Sequence, residues 1–376
     1  MDRVKQDVLI IGGGVIGCSI AYHLAKQGIS VTILERDHIA AHSSSAAAGM
    51  LGAQSEMEKP DPLVDLSLQS RKMFPSLQEE LFNMTGIDIE LNPAGILKVA
   101  TTDESKERLK QRGKWQREIG QEAYWLDERE LCEKEPKLKG AQGALFLPND
   151  HQVSAPKLTI ALAKGAMQCG ARLIEQSEVI EIKRDKDQII SVRTKSTTFF
   201  AAQVIIAAGI WSSEIGKLCG FHLPMVPLKG ESLSIIPPYP MIHHTIFAEN
   251  GYLVPKADDQ IIIGATEIPS ERSADVSAKG IMSLLQAAIQ LVPELIQAKW
   301  GRCWAGIRPD TIDQKPYLGK IPDFKNLFVA CGHRRNGILL SPITGKIMAE
   351  MVMGKSVDIS SDFKVDRVMS GRGEFI

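Results

Sequence analysis

Near its amino terminus the chain carries the run VLIIGGGVIG at residues 8–17, and this run decides the fold. The apolar residues 8–11 are typical of a strand buried on both faces of a parallel sheet. Gly12, Gly14 and Gly17 follow in the spacing G-x-G-x-x-G. Between a strand and a helix, this spacing predicts a turn that binds the pyrophosphate of a dinucleotide.

A helix and a second strand complete this unit. Ile16, Ile20 and Leu24 recur every four residues, which predicts a helix with its apolar stripe on the sheet. Residues 31–34 form the second predicted strand, and Glu35 follows it. A carboxylate at this position accepts hydrogen bonds from a ribose 2′-hydroxyl and disfavours NADP. The helix amino terminus offers free N–H groups to the phosphates. The unit therefore predicts binding of the ADP half of a dinucleotide.

A run of small residues after Glu35 favours FAD over NAD. Residues 43–50 are SSSAAAGM. Small side chains let backbone amides and hydroxyls approach phosphates, a ribityl chain and a flavin ring, whereas bulky side chains block that approach. The alternative interpretation is an ordinary flexible loop or the start of a helix.

Size, charge and cysteine content narrow the class of protein. A chain of 376 residues is long enough for two domains. Lys plus Arg number 44 against 45 Asp plus Glu, so the charge balance indicates neither nucleic acid nor an anionic membrane as a partner. The six cysteines show no zinc-binding spacing, and we expect reduced thiols. Neither a signal peptide nor a membrane span is expected, so the predicted location is cytoplasmic.

The carboxy-terminal half has a different pattern. Residues 228–236, 251–254 and 261–265 alternate or run apolar between turn signals, which predicts an antiparallel sheet. We therefore expect an α/β fold in which a Rossmann-like FAD-binding domain is joined to a second, antiparallel-sheet (α+β) substrate domain. The predicted bounds are 1–90, 145–220 and 302–376 for the discontinuous FAD-binding domain, and 91–144 and 221–301 for the substrate-binding domain.

Several motifs together resemble the D-amino acid oxidase superfamily of FAD-dependent amine oxidoreductases. They are residues 12–17, Glu35, 43–50, 204–212 and 302–309. Within this superfamily, three runs are most similar to the glycine oxidase family of thiamine biosynthesis: SSAAAGML at 44–51, PLKGE at 227–231 and GHRRNGILL at 332–340. The resemblance extends over nearly the whole chain.

This resemblance implies an enzyme with non-covalent FAD that oxidises glycine to an imine. The imine hydrolyses to glyoxylate and ammonia, and oxygen is reduced to hydrogen peroxide. Sarcosine and small D-amino acids are the expected side substrates. The resemblance also implies a homotetramer and a supply to the thiazole branch of thiamine biosynthesis. We expect no protein nucleophile, catalytic base or metal, because hydride transfer to flavin N5 mainly needs positioning.

The resemblance also assigns the substrate site. The predicted catalytic and substrate-binding residues are Arg308, Tyr252, Arg335 and Met50. Arg308 is expected to bind the substrate carboxylate, because a guanidinium is a planar bidentate donor. The alternative is a surface ion pair of Arg308 with Asp310 or Asp313. Tyr252 is expected to add a phenol at the carboxylate, and the alternative is a strand tyrosine that only packs.

A larger set of residues is expected to contact FAD. These residues are Gly12, Gly14, Val15, Ile16, Gly17, Glu35, Arg36, Ser43, Ser44, Ala48, Gly49, Met50, Val179, Gly209, His333, Arg334, Arg335, Asn336, Gly337, Ile338 and Leu339. Three positions depart from the pattern, because Glu267 replaces Met, Asn250 replaces His and Phe247 replaces Tyr. They leave the substrate preference open. Cys303 lies near the position where sarcosine oxidases attach flavin covalently, but the local pattern is that of the non-covalent enzymes.

Other functions stay open at this point. A sarcosine or D-amino acid oxidase is the nearest alternative within the same superfamily. An amine dehydrogenase would pass electrons to a quinone or carrier, and the lack of an amphipathic basic membrane segment in the sequence disfavours it. A non-enzymatic flavin-binding scaffold would make Arg308 and Tyr252 incidental.

Overall fold

Two large sheets organise the computed structural model, which describes residues 4–369. The strands in chain order are β1 Val4–Ile11, β2 Val31–Leu34, β3 Met50–Leu51, β4 Ile96–Ala100, β5 Tyr124–Leu126, β6 Gly143–Leu147, β7 His151–Gln152, β8 Arg172–Ile174, β9 Val179–Asp185, β10 Gln188–Thr194, β11 Thr198–Ile206, β12 Val226–Ile236, β13 Thr245–Ala248, β14 Gly251–Pro255, β15 Ile261–Gly264, β16 Ile268–Pro269, β17 Lys299–Asp310, β18 Tyr317–Lys320 and β19 Leu327–Cys331. The α-helices are α1 Val15–Ala25, α2 Ser43–Ala46, α3 Pro62–Thr85, α4 Asp103–Glu118, α5 Glu128–Lys134, α6 Ala155–Gln168, α7 Ser212–Cys219, α8 Ala278–Leu291, α9 Gly337–Val352 and α10 Asp366–Met369.

The first sheet contains the predicted dinucleotide-binding unit. Its strand order is β18-β19-β11-β1-β2-β8, with β10 beside β11 and β9 beside β10. Strand β1 is parallel to β2 and β11, and β11 is parallel to β19. Ile10 packs with α1, α6 and α9 on one face, while Leu9 belongs to a second core on the other. The strand is therefore buried on both faces, as its apolar run predicts.

The second sheet is mostly antiparallel. Its order is β16-β12-β15-β14-β13-β4-β6-β5, and β17 pairs with β12. Helix α8 covers one face, where Leu284 and Ala288 pack with Leu253 and Ile263. The predicted fold class, a parallel-sheet part joined to an antiparallel-sheet part, is confirmed.

Two of the predicted domain breaks fall inside strands of this second sheet. Strand β6 pairs with β4 and β5, although the predicted break lies between residues 144 and 145. Strand β17 pairs with β12 up to Asp310, although the predicted break lies between residues 301 and 302. Continuous ladders of hydrogen bonds keep each strand in one sheet, so a break is more favourable outside 143–147 and 299–310. The division into two domains stays a prediction.

Strand β17 of the second sheet forms hydrogen bonds with residues 43–50, which we call the small-residue segment and which lie beside the first sheet. The hydroxyl of Ser43 donates to the carbonyl of Ile307 at 2.6 Å, and Trp304 Nε1 donates to the carbonyl of Ala46 at 3.0 Å. These bonds hold α2 against β17, so the carboxyl ends of β1 and β11 face the second sheet across a gap. Within residues 4–369, no helix combines the length and apolar character needed to cross a lipid bilayer.

Candidate active site

A cavity of about 620 Å³ lies between the two sheets. It is lined by every predicted FAD contact except Gly17 and Leu339, and also by Arg308 and Tyr252. One end is formed by the glycine turn and the start of α1, and the other by β12, β14 and β17. We call these the dinucleotide end and the substrate end.

The glycine turn at the dinucleotide end is closely packed. An added Cβ on Gly17 would lie 2.1 Å from the carbonyl oxygen of Gly12, so only glycine lets α1 pack directly on the turn. Gly17 thus permits close packing of α1 behind the cavity lining, which is the role that its place in the motif predicts. Val15 begins α1 at the cavity, and its N–H donates to the Ser44 hydroxyl at 2.9 Å. The first turn of α1 has no acidic residue, so its amino terminus favours an anionic ligand.

Glu35 is buried at the end of β2. One carboxylate oxygen accepts from the N–H of Gly13 at 2.7 Å, and the other accepts from the N–H of Asp37 at 2.8 Å. Each oxygen keeps a further lone pair, so the carboxylate still accepts hydrogen bonds from ribose hydroxyls. A phosphate on that ribose would be repelled.

Two aromatic side chains line the dinucleotide end, although the predicted contacts include neither of them. They are His42 and Trp211. The Arg36 guanidinium lies 4.3 Å from the centroid of the Trp211 ring, and the His42 ring centroid lies 4.7 Å from it. Trp211 was part of a family motif, whereas no pattern in the sequence indicates His42.

A half-buried lysine, Lys256, binds the small-residue segment. Lys256 Nζ donates to the carbonyls of Ala48 at 2.6 Å and Val153 at 3.1 Å, and to Gln152 Oε1 at 2.8 Å. Burial lowers the pKa of Lys256 to about 8. An added Cβ on Gly49 would lie 1.9 Å from the Val153 carbonyl oxygen, so the backbone passes here without room for a side chain. Lys256 follows a predicted strand, but nothing in the sequence indicates this partner.

The turn before α9 closes the cavity from the carboxy-terminal side. His333 is buried, its Nε2 lies 3.1 Å from the Thr344 hydroxyl, and burial lowers its pKa to about 3. Helix α9 begins at Gly337, which lines the cavity, and its first turn has no acidic residue. Leu339 does not line the cavity: it is buried in the core, and its carbonyl accepts a hydrogen bond from Ser70 at 2.6 Å. The helical rotation after Gly337 turns Leu339 into the core.

Arg308 is half-buried at the substrate end. Its Nη1 donates to the carbonyl of Thr266 at 3.2 Å, and in the described part of the chain no carboxylate pairs with it. The sequence alternative, an ion pair with Asp310 or Asp313, is not formed, because these carboxylates pair with Arg334 and Arg367. Burial lowers the pKa of Arg308.

Tyr252 lies beside this free guanidinium. Its side chain packs over Gly264, where an added Cβ would lie 2.5 Å from the hydroxyl. The ring lies 5.8 Å from the Phe247 ring, and the side chain lines the cavity. Among residues 4–369 the Tyr252 hydroxyl has no hydrogen-bond partner. Arg308 and Tyr252 therefore form a pair of donors that is open to a small anion.

Arg335 also lines the cavity, but its charge is balanced. Its Nε lies 2.9 Å from Glu56 Oε2, its Nη2 donates to Glu56 Oε1 at 3.1 Å, and its Nη1 donates to Glu267. The Glu56 carboxylate raises the pKa of Arg335. Sequence reasoning missed Glu56, because it lies in a loop without a recognisable motif.

The other departures from the family pattern behave differently. Phe247 packs near the substrate end, where Lys98 Nζ lies 4.3 Å from its ring centroid. Asn250 does not line the cavity. Cys303 is exposed and does not line it either, which agrees with non-covalent FAD.

The cavity fits FAD. Its dinucleotide end offers a glycine cradle, a carboxylate for ribose and the amino terminus of α1, and α9 also begins at the cavity. The segment 43–50 and the turn before α9 supply the narrow, small-residue walls that a flavin ring needs.

The comparisons with known proteins agree with this geometry. The family model described as FAD dependent oxidoreductase matches residues 7–351. Glycine oxidase from Geobacillus kaustophilus is 46% identical, and the match covers 93% of this chain and 94% of that protein. A crystal structure of glycine oxidase from the same organism has a TM-score of 0.94 at 45% identity, covering 96% of this chain and 99% of that one. A bifunctional ThiO/ThiG protein from Synechocystis sp. is 34% identical over 94% of this chain and 53% of its own length. The chain therefore belongs to the FAD dependent oxidoreductase family, as its motifs predict.

Proposed function

We propose that the protein is an FAD-dependent glycine oxidase that also accepts sarcosine and small D-amino acids. The products are glyoxylate or another 2-oxo acid, ammonia (methylamine from sarcosine) and hydrogen peroxide. The observation that carries this proposal is the open donor pair of Arg308 and Tyr252 in the cavity of an FAD dependent oxidoreductase. Its 46% identity to a glycine oxidase supports the choice of substrate.

The chain's own residues act mainly by binding and orienting the substrate. Arg308 offers a planar pair of N–H groups to the substrate carboxylate, and the Tyr252 hydroxyl adds a third donor. With the carboxylate fixed, the α-carbon is held in one direction relative to the cavity wall, which is the largest protein contribution to a hydride transfer. When bound, FAD supplies the two-electron acceptor whose N5 takes the hydride and which oxygen reoxidises.

Three further features stay proposals. A role in the thiazole branch of thiamine biosynthesis follows from the family resemblance, and the match to a ThiO/ThiG protein supports it. A homotetramer rests on the resemblance alone. A cytoplasmic location is supported by the six cysteines, none of which is in a disulfide.

A single assay separates the proposed oxidase from its alternatives. The purified holoprotein is expected to show a flavin spectrum, to consume oxygen and to release hydrogen peroxide with glycine, sarcosine and D-alanine. Dye reduction without peroxide would indicate a dehydrogenase. A flavin spectrum that no amine bleaches would indicate a binding scaffold, and a protein that takes up no FAD would contradict the proposal altogether.

A further inference from the structure

The substrate end contains two arginines that differ in whether a carboxylate is paired with them. Arg308 has no carboxylate partner in the described residues, whereas Arg335 is paired with both Glu56 and Glu267. Arg335, Glu267 and Glu56 all act on Arg308: burial lowers its pKa most, Arg335 lowers it further and the two carboxylates raise it. Arg308, Arg335 and Glu56 line the cavity, and Glu267 joins them from outside the lining through its contact with Arg335, so the formal charges of the four groups sum to zero.

We propose that Glu267 is a specificity-determining residue that restricts substrates to those with one carboxylate. This inference rests on the proposed function, because it concerns the substrate of the same site. Glu267 blocks Arg335 as a second anion site, so N-substituted glycines and D-amino acids with a second anionic group are disfavoured.

The carboxylates of Glu56 and Glu267 differ in their exposure and in the Arg335 nitrogens that they contact. The Glu56 side chain is 14% exposed and contacts two nitrogens of Arg335, which makes it part of the buried support. The Glu267 side chain is 41% exposed and contacts only Nη1, so it covers Arg335 from the more solvent-exposed side. A second anion that approached Arg335 would therefore find Nη1 already occupied by the Glu267 carboxylate and the other nitrogens occupied by Glu56.

The physical cause is repulsion at short range in a partly buried site. Like charges brought into contact at a binding site repel each other, and the partial exposure of Glu267 weakens this repulsion without removing it. A neutral amide at the same position keeps a hydrogen bond to Arg335 and removes the repulsion. The family resemblance places methionine at this position, so the carboxylate is a feature of this chain.

The test uses pairs of ligands that differ by one carboxylate, on the holoprotein. Acetate and malonate are titrated against the flavin absorption spectrum, which reports binding without turnover. Sarcosine and iminodiacetate are compared by oxygen uptake. In the wild type we expect clear preference for acetate over malonate and for sarcosine over iminodiacetate. In Glu267→Gln we expect both preferences to fall by about tenfold or more; each preference is a ratio measured on one variant, so a general change in activity cancels from it.

Glu249→Gln is the matched control. Glu249 is 40% exposed, close to the 41% of Glu267, and it pairs with Arg108 at 2.8 Å, whereas Glu267 pairs with Arg335. We expect this variant to keep both preferences within about twofold, because an exposed ion pair contributes little.

Two results would overturn the inference: a wild type that binds malonate as tightly as acetate, or a Glu267→Gln variant with unchanged ligand preferences. Failure of the proposed function looks different. If no amine is oxidised but acetate is preferred over malonate in a Glu267-dependent manner, the charge restriction stands and the assigned reaction is wrong.

Discussion

The two ends of the cavity are built in different ways. The dinucleotide end depends mainly on backbone: the glycines, the amino terminus of α1 and one carboxylate that accepts backbone hydrogen bonds. The substrate end depends on charged side chains, which come from a loop near residue 56, the turn at 264–268, β17 and the turn before α9. Backbone shape is encoded within one short segment, whereas a charge arrangement requires distant segments to meet. The backbone shape of the dinucleotide end therefore follows from local sequence, whereas substitutions in any of several segments can change the charges at the substrate end.

The substitution with the largest expected effect at the dinucleotide end is Gly17→Val. Its side chain would overlap the Gly12 carbonyl, which an added Cβ already approaches to 2.1 Å. Because both atoms belong to packed backbone, α1 must move away from the turn, and we expect a loss of about 3 kcal/mol or more in the free energy of unfolding, together with loss of FAD. Thermal unfolding and the flavin absorbance of the purified protein measure the two effects.

Gly337→Ala is the contrasting substitution. An added Cβ there would meet only His333 Cβ at 3.6 Å, an ordinary contact, so the protein itself has room for it. We expect the unfolding temperature of the apoprotein to stay unchanged while FAD affinity falls, because the flavin ring would pass close to this residue. Destabilisation of the apoprotein equal to that of Gly17→Val would contradict the distinction between the two glycines.

At the substrate end, the largest expected effect is that of Arg308→Ala. The loss of a charge-assisted bidentate contact is expected to raise the KM for glycine about 10- to 100-fold, since such bonds contribute about 1.5–3 kcal/mol. The flavin spectrum is expected to survive. Arg302→Ala is the control, because Arg302 is an exposed residue of the same strand and does not line the cavity. Release of FAD from the Arg308 variant would mean that Arg308 supports the cofactor and not the substrate.

Two half-buried lysines allow the pH dependence of stability to be compared between the two ends. Burial lowers the pKa of Lys256, at the small-residue segment, to about 8 and that of Lys98, behind the substrate end, to about 7. The unfolded chain keeps these protons up to about pH 10.5. Between these values the unfolded state binds more protons than the folded state, so stability rises with pH, by at most about 1.4 kcal/mol per pH unit for each lysine.

The predicted rise of stability with pH can be tested by measuring the free energy of unfolding of Lys98→Met and Lys256→Met as a function of pH. Relative to the wild type, the Lys98 variant is expected to lack part of the rise that begins near pH 7, and the Lys256 variant the part that begins near pH 8. Urea unfolding at pH values from 6 to 10 gives the curves. A wild-type stability that falls through this window, with variants that follow it in parallel, would contradict the assignment.

The smallest expected effect is that of Cys303→Ser. Cys303 is exposed and lies away from the cavity lining, so the variant is expected to keep its FAD content, activity and stability. Heat denaturation of the wild type is expected to release all flavin into the supernatant, as non-covalent binding requires. Flavin that stays with the precipitated wild type but not with the variant would show a covalent bond.

The same contrast explains how far the sequence predicts the molecule. The glycine turn and Glu35 were predictable, because their geometry follows from neighbours in one short segment. Glu56 and Lys256 were not, because their partners lie far along the chain. The domain breaks near residues 145 and 302 fall inside strands for a related reason: local patterns do not reveal with which sheet a strand pairs.

The strand order of the first sheet also determines how much of the chain must be synthesised before the cavity can form. The βαβ unit from β1 to β2 is made first, but β1 pairs with β11, and β11 with β19, which ends at Cys331. During synthesis one edge of β1 therefore stays unpaired until β11 has been made, about 170 residues after the end of β2. The cavity has no wall on the α9 side until residue 338 is made. We therefore expect FAD to bind only after residue 338 has been made, so that chains made without FAD would be complete but would have an open cavity.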